Sequence, residues 1–145
     1  MSDPAPTPPL LPLVWGGIAV GPLLATVVLW AVRGEPSAPD LAEPAFYALA
    51  AASLVGTAVA LWTIRRMEAS LLEAPDRSAA LQRIQTYGLV ALAAAELPAV
   101  AAPIVGFITG DWLGLAFLVP FLGIVALTWP TADRIARWTT PGRRR

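Results

Sequence analysis

The sequence predicts an all-α integral membrane protein: four transmembrane helices in an antiparallel bundle, with both termini in the cytoplasm. Three observations carry that expectation. Apolar residues make up 57% of the 145-residue chain and charged residues 14%, against about 45–50% and about 25% in soluble proteins. The apolar residues fall in long runs that no water-soluble core of this size could absorb. Nine of the ten arginines fall on one side of the topology those runs imply.

Residues 1–9, within "MSDPAPTPPLLP", form a Pro-rich stretch with an acid and no basic n-region. It reads as a short extended cytoplasmic tail leading into an uncleaved first span. The membrane domain covers residues 10–132. Its first span, about 10–32, is uncharged and about 34 Å long at 1.5 Å per residue. The second, about 44–64, is also uncharged. The third, about 84–110, carries one charged residue, Glu96, and the fourth, about 112–132, carries none. Between spans one and two, "RGEPSAPDLAEP" reads as a solvated connector.

Arginines set the orientation. The connection 65–83 holds Arg65, Arg66, Arg77 and Arg83, and the tail 133–145 holds Arg134, Arg137, Arg143, Arg144 and Arg145. The opposite side holds Arg33 alone. Positively charged loops stay inside, which places both termini in the cytoplasm of a multi-pass protein of the bacterial cytoplasmic (inner) membrane. The connection 65–83 is expected to be amphipathic extensions of spans two and three that meet near Pro75. In the tail, Arg134, Arg137 and Trp138 are the expected contacts with anionic lipid or a partner.

Association of helices in lipid depends on close packing of small residues. Gly17 and Gly21 form a GxxxG on span one. Ala48, Ala52, Gly56 and Ala60 recur every fourth residue on span two, and Ala91, Ala95 and Ala99 do so on span three. The span-two stripe is expected to face the span-three stripe. Trp15, Trp30, Trp62, Trp112 and Trp129 fall near span ends, the pattern of an interfacial aromatic belt.

The chain has no cysteine and no histidine, and its basic residues are all arginine. That excludes disulfides, imidazole ligation, His-dependent triads and Schiff-base lysines within the chain. No catalytic residue, metal site or cofactor is expected, and the protein is not expected to be an enzyme. Its expected partners are membrane lipid and other subunits, in a homo-oligomer or a larger membrane complex, with no nucleic acid.

The functional lead is Glu96, in "GLVALAAAELPAVAAPIVGFITG". A charge at the centre of a membrane helix costs about 2.5–3.5 kcal/mol on insertion scales. No basic residue lies inside any span, so the protonated carboxyl is the expected resting form. Pro98 and Pro103 leave the carbonyls of Ala94 and Ala99 without their helical donors, which predicts a kink in span three beside Glu96. Ala94, Thr26, Ser53 and Thr57 are candidate hydrogen-bond partners. Two readings stay open: a proton- or ion-handling carboxyl, or a neutral fastener between helices.

The stretch "PDRSAALQRIQTYGLVALAAAELPAVAAPIVGFITG" resembles the second helix of the proteolipid (c) subunit of rotary ATP synthases. That resemblance implies that Glu96 binds a transported proton and that spans two and three correspond to the c-type hairpin. The chain is also similar to four-span bacterial membrane proteins with a glutamate-bearing third helix.

Overall fold

The computed structural model describes residues 10–139, and every regular element among them is helical. The tail 1–9 and the terminal residues from 140 on, with Arg143, Arg144 and Arg145, lie outside the described residues. Helix α1 is Leu10–Ala31, α2 is Ala42–Leu71, α3 is Arg77–Thr109, α4 is Leu118–Thr128 and α5 is Ala132–Thr139. Short 3-10 segments, Pro39–Leu41 and Trp112–Phe117, precede α2 and α4.

Local chemistry sets these boundaries. Pro75 cannot donate to a helical ladder, and Asp76 behind it is extended, its carboxylate accepting from Ala79 N at 2.8 Å as the N-cap of α3. At the far end Gly110 takes the left-handed conformation (φ 77°) and its N–H bonds Gly106 O at 2.9 Å. The α1–α2 connector is tied down there: Ser37 N and Ala38 N donate to Ile108 O at 3.0 and 3.1 Å. A side chain at Gly110 would also run into Pro36.

Helices α2 and α3 have 30 and 33 residues, about 45 and 50 Å. Both outrun a hydrocarbon core of about 30 Å. They extend together at the end that carries Arg65, Arg66, Arg77 and Arg83, so most of the connection 65–83 is helix. Arg83 reaches across from α3 to donate to Ser70 O at the end of α2. Three helical stretches, Pro12–Ala31, Pro39–Leu71 and Arg77–Thr109, are long and apolar enough to cross a membrane, and a fourth counts if the bent pair after them is one span.

The fourth span departs from the expected single helix over 112–132. It starts as 3-10 helix, becomes α-helix at Leu118 and stops at Thr128; the axis then turns by 59° into α5. Two prolines explain this. Pro120 falls in the first turn of α4, where a missing N–H costs no helical bond. Pro130 forces Trp129 before it into an extended conformation (φ −54°, ψ 123°) and ends the helix. Six 3-10 residues and eleven α residues still reach about 28 Å, because the 3-10 rise is about 2.0 Å.

Helix α3 is central and touches α1, α2, α4, α5 and the second 3-10 segment. It continues as one helix through Pro98 and Pro103, both buried. Its most extensive interface is with α2. Gly56 and Ala60 of α2 and Ala91, Ala95 and Ala99 of α3 are buried there, whereas Ala48 is exposed and Ala52 half-buried. At the crossing, a methyl group on Gly56 would overlap the carbonyl oxygen of Ala94. That is the carbonyl Pro98 leaves without a donor, and the glycine lets it lie against the α2 backbone.

Gly17, by contrast, has no neighbour within 4 Å of a Cβ position and faces outward. The GxxxG of α1 therefore contributes only Gly21 to packing within the chain. A matched pair of substitutions tests this map in SDS-titrated unfolding of the purified protein. Gly56→Ala is expected to destabilise by about 1–3 kcal/mol, the cost of overpacking a filled site. Gly17→Ala is expected to shift stability the other way by about 0.5–1 kcal/mol, from helix propensity alone. Equal effects would remove the close crossing.

Candidate functional site

Glu96 lies 19 residues from the start of α3 and 13 from its end, about 20 Å from Thr109 along the axis. Its side chain is half-buried and points toward α1: a methyl group built on Gly21 would stand 3.9 Å from Glu96 Oε1. The next residue of α1, Pro22, is fully buried. Its ring leaves the Ile18 carbonyl one turn away without a helical donor. Gly21 keeps the space in front of the carboxyl clear.

None of the candidate partners is bonded to Glu96, and no hydrogen bond or ion pair to its carboxyl occurs among the described residues. Residues two apart on an α-helix lie about 200° apart around the axis, so Ala94 and Glu96 address different neighbours. The Ala94 carbonyl goes to Gly56 on α2 and the Glu96 carboxyl to Gly21 on α1. Pro98, one turn beyond Ala94, is buried on the Ala94 side. Thr57 and Ser53 belong to α2. Thr26 commits its hydroxyl hydrogen to Pro22 O at 2.8 Å. Of the supporting set expected from the sequence, Ala94 and Pro98 lie at the α2–α3 crossing, and none of Ala94, Pro98 and Thr57 bonds the carboxyl.

The second departure is Trp15. Its position near a span end suggests an interfacial anchor, yet it is 1% exposed. The indole lies where a side chain at Gly88 would be, and its Nε1–H donates to Thr128 Oγ1 at 3.3 Å. Thr128 in turn donates to Ile124 O at 2.8 Å. The cluster joins α1, α3 and α4 below Glu96, and Gly88 is the residue the sequence reading did not single out. Trp112 likewise packs on Gly106. Trp30 and Trp62 do lie on the outside, each with an arginine over its ring: Arg33 at 4.5 Å and Arg66 at 5.3 Å from the centroid.

The tail residues divide in the same way. Arg134, expected at the lipid surface, turns back to cap α4: its Nη1 donates to Ala126 O at 2.7 Å and Leu127 O at 2.8 Å. The break at Pro130 leaves those carbonyls without helical partners. Ile135 is buried and Trp138 half-buried against the core, while Arg137 is exposed. No group of three or more metal-ligating side chains occurs among the described residues.

No family model, curated protein or solved structure matches this chain. The reading of the site therefore rests on its chemistry.

Arg134 supplies a prediction about the end of the fourth span. Arg134→Ala removes two charge-assisted bonds that water can partly replace, worth about 1 kcal/mol here. Hydrogen exchange at the amides of the last turn of α4 should quicken about fivefold, with α2 and α3 unaffected. Unchanged exchange would show that the cap contributes nothing.

Proposed function

We propose that this protein is a four-span subunit of the bacterial cytoplasmic membrane, with both termini inside, that holds a protonatable carboxyl within the hydrocarbon. Glu96 handles a proton or another ion there, as part of a homo-oligomer or a larger membrane complex. The observation that carries this reading is the setting of Glu96: a half-buried carboxyl mid-way along an apolar helix, opposite Gly21, with no hydrogen bond or cation from the described chain.

An unpartnered carboxylate in hydrocarbon is disfavoured by several kcal/mol, and protonation removes most of that cost. A group held in that way takes up or gives back a proton when water or a cationic side chain approaches, as an ion-translocating carboxyl must. The outward surface supports the setting in lipid: Leu13, Leu24, Val27, Leu54, Val55, Leu97, Leu113 and Val119 are all well exposed, an outside unsuited to water. The likeness of 75–110 to the ring-forming proteolipid helix points the same way, with the α2–α3 hairpin as the c-type unit.

The second reading makes Glu96 a neutral fastener in a structural or accessory subunit. The lack of a bonding partner among the described residues sends such a fastener to a neighbouring subunit. One experiment separates the two. A membrane-permeant carbodiimide, which attacks protonated carboxyls, is applied to the purified protein over a pH series and the adduct at Glu96 is read by mass spectrometry. Labelling that falls as the pH rises is the expected result, with Gly21→Leu slowing it by filling the space before the carboxyl. No labelling at any pH would defeat the proton-handling reading. In the intact assembly, Glu96→Gln keeps a hydrogen-bonding amide but cannot ionise; a fastener tolerates it, and a proton carrier loses activity.

A further inference from the structure

At the arginine-rich end of the bundle a groove of about 380 Å³ opens between α2 and α5, lined by Ile64, Glu68, Leu127, Arg134, Arg137 and Trp138. Its walls differ in chemistry along their length. Ile64 and Leu127 close the apolar runs of α2 and α4, and Leu127 is 52% exposed. Glu68 lies one turn further along α2. Arg134 and Arg137, three residues apart, share a face of α5, and Trp138 stands beside them with its ring against the core.

The charges in the groove are not balanced from within. Arg134 commits Nη1 to the carbonyls of α4, which leaves its remaining N–H groups free of any recorded acceptor. The Arg137 guanidinium has neither a hydrogen bond nor an ion pair among the described residues, and Glu68 is likewise unpaired. Two cations and one acid give the groove a net charge of +1. Buried Ile135 anchors α5, which carries both arginines. An anion with hydroxyl donors beside it, and hydrocarbon attached to it, would satisfy every wall.

We propose that this groove binds the headgroup of an anionic phospholipid of the phosphatidylglycerol type. The phosphate diester meets Arg137 and the free N–H groups of Arg134. The headgroup hydroxyls donate to Glu68. The acyl chains leave along Ile64 and Leu127, with the Trp138 indole at the level of the esters. A free phosphate would leave the apolar half of the groove unfilled, and a choline headgroup offers Glu68 no hydrogen to accept. The assignment rests on the membrane-spanning reading above, and goes beyond it by naming a lipid and its site.

The test uses the full-length protein in detergent, with native mass spectrometry after addition of equimolar phosphatidylglycerol, phosphatidylethanolamine and phosphatidylcholine. The expected result is retention of phosphatidylglycerol about fivefold over either zwitterionic lipid. Arg137→Gln, at an exposed side chain with no hydrogen bond or ion pair among the described residues, should reduce that preference about fivefold, the worth of one arginine near an anionic surface, with the melting temperature unchanged. Equal retention of all three lipids, a preference for phosphatidylethanolamine, or an Arg137→Gln protein with undiminished preference would overturn the proposal. So would displacement of the lipid by millimolar inorganic phosphate, which would reduce the site to a phosphate pocket. Alkaline carbonate extraction of membranes tests the spanning reading by itself: a protein that resists extraction but shows no lipid preference fails here alone.

Discussion

The fold depends on how closely α2 and α3 approach at Gly56. In hydrocarbon, helices gain nothing from hiding apolar surface, so their association rests on dispersion between well-fitted surfaces and on weak polar contacts. Pro98 removes the N–H that would occupy the Ala94 carbonyl, and Gly56 lets that carbonyl lie directly against the facing backbone. Two residues that each weaken an isolated helix thus act together to join a pair. Above and below the crossing, α3 presents Ala91, Ala95, Ala99 and Ala102, all buried. It also has two further notches: Gly88 takes the ring of Trp15 from α1 and Gly106 takes the ring of Trp112. Helix α3 is the centre of the bundle because it is narrow on every side where a neighbour is wide.

That arrangement places Glu96 by geometry. Once Ala94 is committed to α2, the residue two further on points about 200° away, toward α1. Packing at that level would ordinarily seal a side chain between helices, but Gly21 contributes no bulk. The carboxyl is therefore half-buried within the bundle. The same crossing that holds the helices together fixes which face of α3 carries the ionisable group.

Much of this was legible in the sequence because the solvent writes it there. Uncharged runs of twenty residues have few alternatives to spanning helices, and the fourfold spacing of small residues on spans two and three identified the faces that meet. What escaped depended on neighbours distant in sequence. Trp15 looks like Trp30 or Trp62, a tryptophan near a helix end; only Gly88, 73 residues later, turns it inward. The fourth span was uniform in composition, and its 3-10 entry and its stop at Thr128 follow from where Pro120 and Pro130 fall relative to helix ends, a matter of register. Glu96 was found at once, because a lone charge in an apolar run stands out. The partners expected for it do not bond it: the Ala94 carbonyl lies against Gly56, and Thr57 belongs to α2.

The arginines complete the argument. Arg83 and Arg134 cap the ends of α2 and α4 through backbone carbonyls, and Arg33 and Arg66 lie over tryptophan rings. Guanidinium groups do this well, since the planar fork suits paired carbonyls and its weak hydration suits an aromatic face. None of them is paired with a carboxylate among the described residues. No arginine lies within the apolar stretch that contains Glu96. Among the described residues no cation reaches the Glu96 carboxyl, which faces Gly21 of α1.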